Sequence, residues 1–112
     1  MSAAISPRIL TAIDDLKRLL GNAFGLRVRE VRLFGSVARG EAREDSDVDV
    51  LIVLDEVRAH RERIVAAEAA FDAGFPHHLI LAPLVLGADE LGRLRQWETG
   101  LAKALDADGI TL

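Results

Sequence analysis

A chain of 112 residues, half of them hydrophobic, is long enough to bury one core unaided, and it reads as a single domain spanning 1–112. Its 14 Lys and Arg against 18 Asp and Glu leave a net charge of -4, which excludes the basic footprint needed for stable, unspecific binding to duplex DNA. The lack of cysteine excludes disulfides and thiolate chemistry, and Arg8, Asp14, Asp15, Lys17 and Arg18 interrupt the apolar start, so a soluble, cytoplasmic protein with no signal segment or membrane span is expected.

Ser6-Pro7 predicts a helix start, after which Ile9, Leu10, Ile13, Leu16, Leu19 and Leu20 recur on one face until an end near Gly21-Asn22. Val28 to Phe34, "VREVRLF", predicts a strand closing on Gly35, with its Arg and Glu solvated. Asp47 to Leu54, "DVDVLIVL", predicts a second strand, apolar on both faces beyond its first residues, as expected of a central strand in a covered sheet. The segment between them, Gly35 to Ser46, is too short for an ordinary crossover and too long and polar for a tight hairpin, so a short helix and a loop are expected. Residues 57–74 predict an alanine-rich helix with Ile64, Val65 and Phe71 directed to the core, ended by Gly74 and Pro76. "HLILAPLVL" predicts a third strand, and Asp89 to Leu105 a last helix carrying Leu91, Leu94, Trp97, Leu101 and Leu105, before an extended tail "DGITL". This order gives an α/β class with few strands.

The chemistry concentrates in "FGSVARGEAREDSDVDVLIVLD", residues 34–55. Gly35 and Ser36, where a strand meets a helix start, offer backbone N–H groups, a hydroxyl and the positive end of a helix dipole, which together favour a phosphate. Asp47 and Asp49 are two apart, so on a strand they share a face, and like charges so placed call for a cation. Paired hard oxygens, with phosphate oxygens and waters completing an octahedron, suit magnesium. Arg39 is a candidate phosphate clamp and Arg43 a weaker one, each set against a solvated loop arginine. An EF-hand reading of Asp45, Asp47, Asp49 and Glu56 fails, because the position that needs Gly is Val50 and a strand follows. Trp97 reads as core or partner surface, and the arginines of 58–63 as a solvated helix face.

Gly35-Ser36, ten residues, then Asp47-Val48-Asp49, with "ARG" at 38–40 and "SDVDVLIVL" at 46–54, resembles the signature of the minimal nucleotidyltransferases of the DNA polymerase β superfamily. The resemblance implies a small mixed β-sheet flanked by helices and transfer of a nucleoside monophosphate from a nucleoside triphosphate, ATP foremost, to a hydroxyl with loss of pyrophosphate. By position, Gly35 and Ser36 would hold the triphosphate, and Asp47 and Asp49 would be the catalytic acids binding Mg2+. Small members of this family are often antitoxins paired with a helical HEPN-type toxin, some silencing it by adenylylating a tyrosine. The family pattern also has a third acid on the next core strand, and residues 78–86 contain no Asp or Glu. His77 or His78 is a substitute base, weighed against a solvated turn. Two classes therefore stand open: an adenylylating enzyme, or a nucleotide- or toxin-binding module that acts by contact alone. With the core built, no length remains for an acceptor domain, so a separate docking protein is the expected acceptor, and self-association is left open.

Overall fold

The computed structural model describes residues 5–35, 47–96 and 110–111. The Ser6 hydroxyl accepts the Arg8 backbone N–H at 3.2 Å and Pro7 occupies the first turn, starting helix α1 (Pro7–Phe24). The helix runs past the expected stop at Gly21-Asn22. A glycine inside a helix costs about 1 kcal/mol, whereas burying an aromatic side chain contributes about 1.5 to 3 kcal/mol, and continuing the helix puts Phe24 into the core. Gly25, at φ +59, then turns the chain out and returns its N–H to the Gly21 carbonyl.

Four strands follow among the described residues: β1 (Val28–Phe34), β2 (Val48–Leu54), β3 (Leu81–Gly87) and β4 (Ile110–Thr111), in the sheet order β3-β2-β1-β4. β1 is antiparallel to both β2 and β4, and β2 is parallel to β3, so the sheet is mixed as the family resemblance implied. Helices α2 (His60–Gly74) and α3 (Ala88–Gln96) precede and follow β3. The expected tail strand exists as β4, β1 has the expected bounds, and the short helix and loop expected at 36–46 lie outside the described residues, as do Trp97, Leu101 and Leu105.

Side-chain alternation divides β2 between two cores. Val48, Val50, Ile52 and Leu54 pack with Ile13, Leu16 and Leu20 of α1 and with α2. Leu51 and Val53 point the other way, to Leu86 and to Leu91 of α3, with Phe34, Leu84 and Leu94 at the margin. The core face of α2 differs from expectation. Val65 does pack against the core, but Ile64 and Phe71 are exposed, and Ala66, Ala69, Ala70 and Ala73 are the buried residues. Small side chains let α2 approach its neighbours closely, so the alanines win the interface that larger residues were expected to fill. α2 also starts at His60 rather than 57; β3 starts at Leu81 rather than 78, because a 3-10 turn at Phe75–His77 and a left-handed His78 (φ +56) precede it.

Arg63 is not a solvated surface arginine. Its Nη2 lies 2.8 and 2.9 Å from the two Glu90 carboxylate oxygens, its Nη1 donates to the Val85 carbonyl of β3, and Glu90 also accepts the Gly87 N–H at 3.0 Å. One side chain thus joins α2, the outer side of β3 and the start of α3.

Arg27 gathers the far end of the sheet in the same manner. Its Nε donates to Asp55 at 3.1 Å, its Nη1 and Nη2 to Glu62 at 2.6 and 3.0 Å, and Nη2 to the Glu56 carbonyl at 3.1 Å, while the guanidinium sits 5.6 Å from the centre of the Phe24 ring. Hydrogen bonds from Arg27 and from the Arg58 backbone N–H hold the Glu62 carboxyl down at about 2. The Glu56 N–H, followed by Arg27, lowers Asp55. Both carboxyls are depressed on folding, so their contribution is complete above the ordinary carboxylate range and is lost as pH falls through the folded values. Arg27→Ala is therefore expected to raise the pH of acid unfolding, read by circular dichroism between pH 5 and about 2. An unchanged acid transition would mean that the cluster adds nothing to stability.

Candidate functional site

The site is built where β1 ends and β2 begins. Phe34, the last residue of β1, pairs with Asp49 of β2, and the next residue, Gly35, takes φ +71, a conformation that only glycine adopts freely. A Cβ built on Gly35 would lie 2.1 Å from Asp49 Oδ2 and 3.1 Å from its Cγ, so the Asp49 carboxylate rests directly against the bare glycine. Asp49 is half-buried, and Asp47 is exposed one residue ahead of the strand. Neither has a hydrogen-bond or ion-pair partner among the described residues. Two carboxylates with no cationic side chain between them among the described residues, one seated by the backbone, form a donor set of hard oxygens. No cluster of three or more metal-ligating side chains occurs among the described residues, so this pair would hold magnesium only with oxygens from a bound phosphate and from water.

Asp49 shares its face of β2 with Leu51 and Val53, the side covered by α3 and turned away from α1 and α2. On the parallel neighbour its register partner is Ala82. Strands in register present paired side chains to the same face, so half-buried Ala82 is where a carboxylate on β3 would stand beside Asp49. Neither histidine replaces it. His77 Nε2 lies 3.2 Å from Asp15 Oδ2 of α1, on the helix side of the sheet, and His78 is exposed in the left-handed turn. The EF-hand arrangement is absent too, since Asp47 and Glu56 lie beyond opposite ends of the seven-residue β2. Ser36, Arg39, Arg43 and Asp45 lie outside the described residues. Strand parity in the sequence puts the two aspartates on one face, but the contact with Gly35 and the role of Ala82 need the pairing register, which parity alone does not give.

A family model described as a nucleotidyltransferase domain matches residues 11–102. The chain belongs to that family. As a nucleotidyltransferase-domain protein it is 54% identical over 41 residues to the protein adenylyltransferase MntA of Thermococcus cleftensis, across 37% of this chain and 39% of that one. It is 30% identical over 77 residues, 69% of this chain and 78% of the relative, to a Methanocaldococcus jannaschii protein named provisionally as a protein adenylyltransferase. The first of these matches therefore spans well under half of the relative's length. Its fold is shared with a crystal structure of a toxin-antitoxin with AMP-PNP, at a TM-score of 0.58 and 18% identity over 88% of this chain and 69% of that one. No helix among the described residues is long and apolar enough to cross a membrane.

Proposed function

We propose that this nucleotidyltransferase domain transfers AMP from ATP to a hydroxyl of a partner protein, with Asp47 and Asp49 as its catalytic acids and its magnesium ligands. The observation that carries the reading is the pair of aspartates without a partner among the described residues, with Asp49 seated on Gly35 at the head of β2. The adenylyltransferase names of the relatives, and the AMP-PNP in the toxin-antitoxin structure that shares the fold, support ATP as donor and a protein as acceptor. A HEPN-type helical toxin, made beside this chain as its target, is the partner the family resemblance favours.

In the reaction the acceptor hydroxyl gives its proton to water, its oxygen bonds to the α-phosphorus, the bond to the β-phosphate oxygen breaks, and pyrophosphate leaves with the electron pair. Magnesium, when bound, offsets the triphosphate charge and that of the leaving pyrophosphate. Gly35, Ser36 and Arg39 hold the phosphates, through close backbone approach, a hydroxyl and a guanidinium respectively. The half-buried carboxylate of Asp49, kept in place by the glycine beneath it, spends no reorganisation on reaching its working position.

Incubating the protein with labelled ATP, magnesium and the product of the adjacent gene is expected to leave adenylyl groups on that product, read by mass spectrometry. Ala82 favours a second reading, a module that neutralises its partner by contact, because the acceptor proton then has no carboxylate on β3 to receive it. A tight inhibitory complex with no transfer from any of the four nucleotides would establish that second reading.

The register makes a further prediction. Ala82→Asp places a third carboxylate beside Asp49, and since a positioned base contributes roughly 10²-fold or more, the transfer rate is expected to rise by up to that order with little change in ATP affinity. A folded Ala82→Asp protein with an unchanged or lower rate would show that β3 is not where the proton goes.

A further inference from the structure

The α2 side of the molecule carries an apolar surface that the transfer chemistry does not use. Ile64 is 46% exposed, Phe71 65%, Phe75 69% and Ile80 66%. Phe71 and Phe75 are in ring contact, with centroids 5.7 Å apart. Two open grooves share Phe71: one of about 470 Å³, lined also by Phe75, His78 and Ile80, and one of about 440 Å³, lined also by Ile64, Glu68 and Asp72. Four large apolar side chains this exposed and this close together mark an interaction surface rather than scattered surface residues.

Two observations decide what covers it. The Val48 N–H donates to the Ile80 carbonyl at 2.9 Å, and Val48 stands between Asp47 and Asp49, so Ile80, at one end of the surface, lies beside the strand start that carries the acids, although Asp49 itself is on the face turned away from α2. The second groove has acidic walls, Glu68 and Asp72, on a chain of net charge -4. A second copy meeting this face about a two-fold axis would press the same acidic-walled patch of each copy against the other, which disfavours self-association. We propose that the surface formed by Ile64, Phe71, Phe75 and Ile80 docks an amphipathic helix of the acceptor protein, one with an apolar face flanked by Lys or Arg, and so holds the acceptor at the end of the sheet where β2 and its acids begin. This rests on the protein-acceptor reading above. Helix-in-groove docking supplies apolar anchors one turn apart, and the acidic walls supply the choice of partner.

The probe is a synthetic helical peptide of about five turns with Leu and Tyr on one face and Lys on the other, compared with the same peptide carrying Glu for Lys. Calorimetry is expected to show the Lys peptide binding about tenfold or more tightly than the Glu peptide, with the difference shrinking as salt rises. Phe71→Asp with Ile80→Asp is expected to remove that binding while leaving magnesium-ATP binding intact, whereas Asp47→Asn does the reverse. Loss of ATP binding in wild type would sink the functional reading alone. Equal affinity for the two peptides, or Lys-peptide binding that survives Phe71→Asp with Ile80→Asp, would overturn the docking surface. A dimer in sedimentation that Phe71→Asp disperses would overturn it in favour of a second copy.

Discussion

Asp47→Asn and Asp49→Asn are each expected to weaken magnesium-ATP binding, and the transfer that follows from it, by at least on the order of 10²-fold. Replacing groups that merely orient metal ligands already costs 10- to 100-fold, and these two carboxylates would be the ligands themselves. Neither has a partner among the described residues whose loss would disturb the fold, so thermal unfolding without nucleotide should barely change for Asp47→Asn. Asp49→Asn keeps the size of its side chain against Gly35 and should fold as well. Isothermal calorimetry with ATP in the presence and absence of magnesium checks the expectation. If the double variant binds magnesium-ATP as wild type does, the aspartates are not the metal site.

Gly35→Ala is the second large effect, and its cause is specific to the contact between strands. The new Cβ would stand 2.1 Å from Asp49 Oδ2, a distance that no rearrangement short of moving the carboxylate relieves. The clashing atom ends a short, rotatable side chain, so Asp49 swings away and the sheet survives. In addition, holding a non-glycine residue at φ +71 costs about 1 to 2 kcal/mol. The expected result is a folded protein, somewhat less stable, whose magnesium-ATP affinity falls about as far as that of Asp49→Asn. Combining the two substitutions should then cost scarcely more than either alone, because both act on one carboxylate. Additive losses would show that Gly35 serves the phosphates independently of Asp49.

Much of this is legible in the amino-acid sequence, and the reasons differ by element. β1 and β2 are short apolar runs bounded by glycine and acids, and the spacing of Gly35, Asp47 and Asp49 is specific enough to carry the family and its mixed sheet and to single out the candidate site residues. The face of α2 is not legible in the sequence, because hydrophobicity ranks Phe71 and Ile64 above alanine, whereas closeness of approach ranks them below. The end of α1 depended on Phe24 reaching a core whose position local sequence does not encode. His77 reads alone as a base or a solvated turn, and only its approach to Asp15, 62 residues away, assigns it to the helix layer. Ala82 carries no signal of its own; its meaning comes from the residue it faces across the β2-β3 register.

The Arg63 link has a bearing on how the protein behaves in a crowded solution. β3 is the outermost strand on its side of the sheet, and an outermost strand ordinarily offers its unspent backbone groups to any extended chain that drifts past. Here the Val85 carbonyl is already occupied by a guanidinium that Glu90 anchors, and Pro83, two residues earlier, has no N–H to give. Strand addition along this margin would have to displace an ion pair and tolerate a missing donor in the same few residues. Fibril-like stacking from this side is thereby suppressed, and an apolar seven-residue strand can lie at the rim of the sheet without making the protein prone to polymerise.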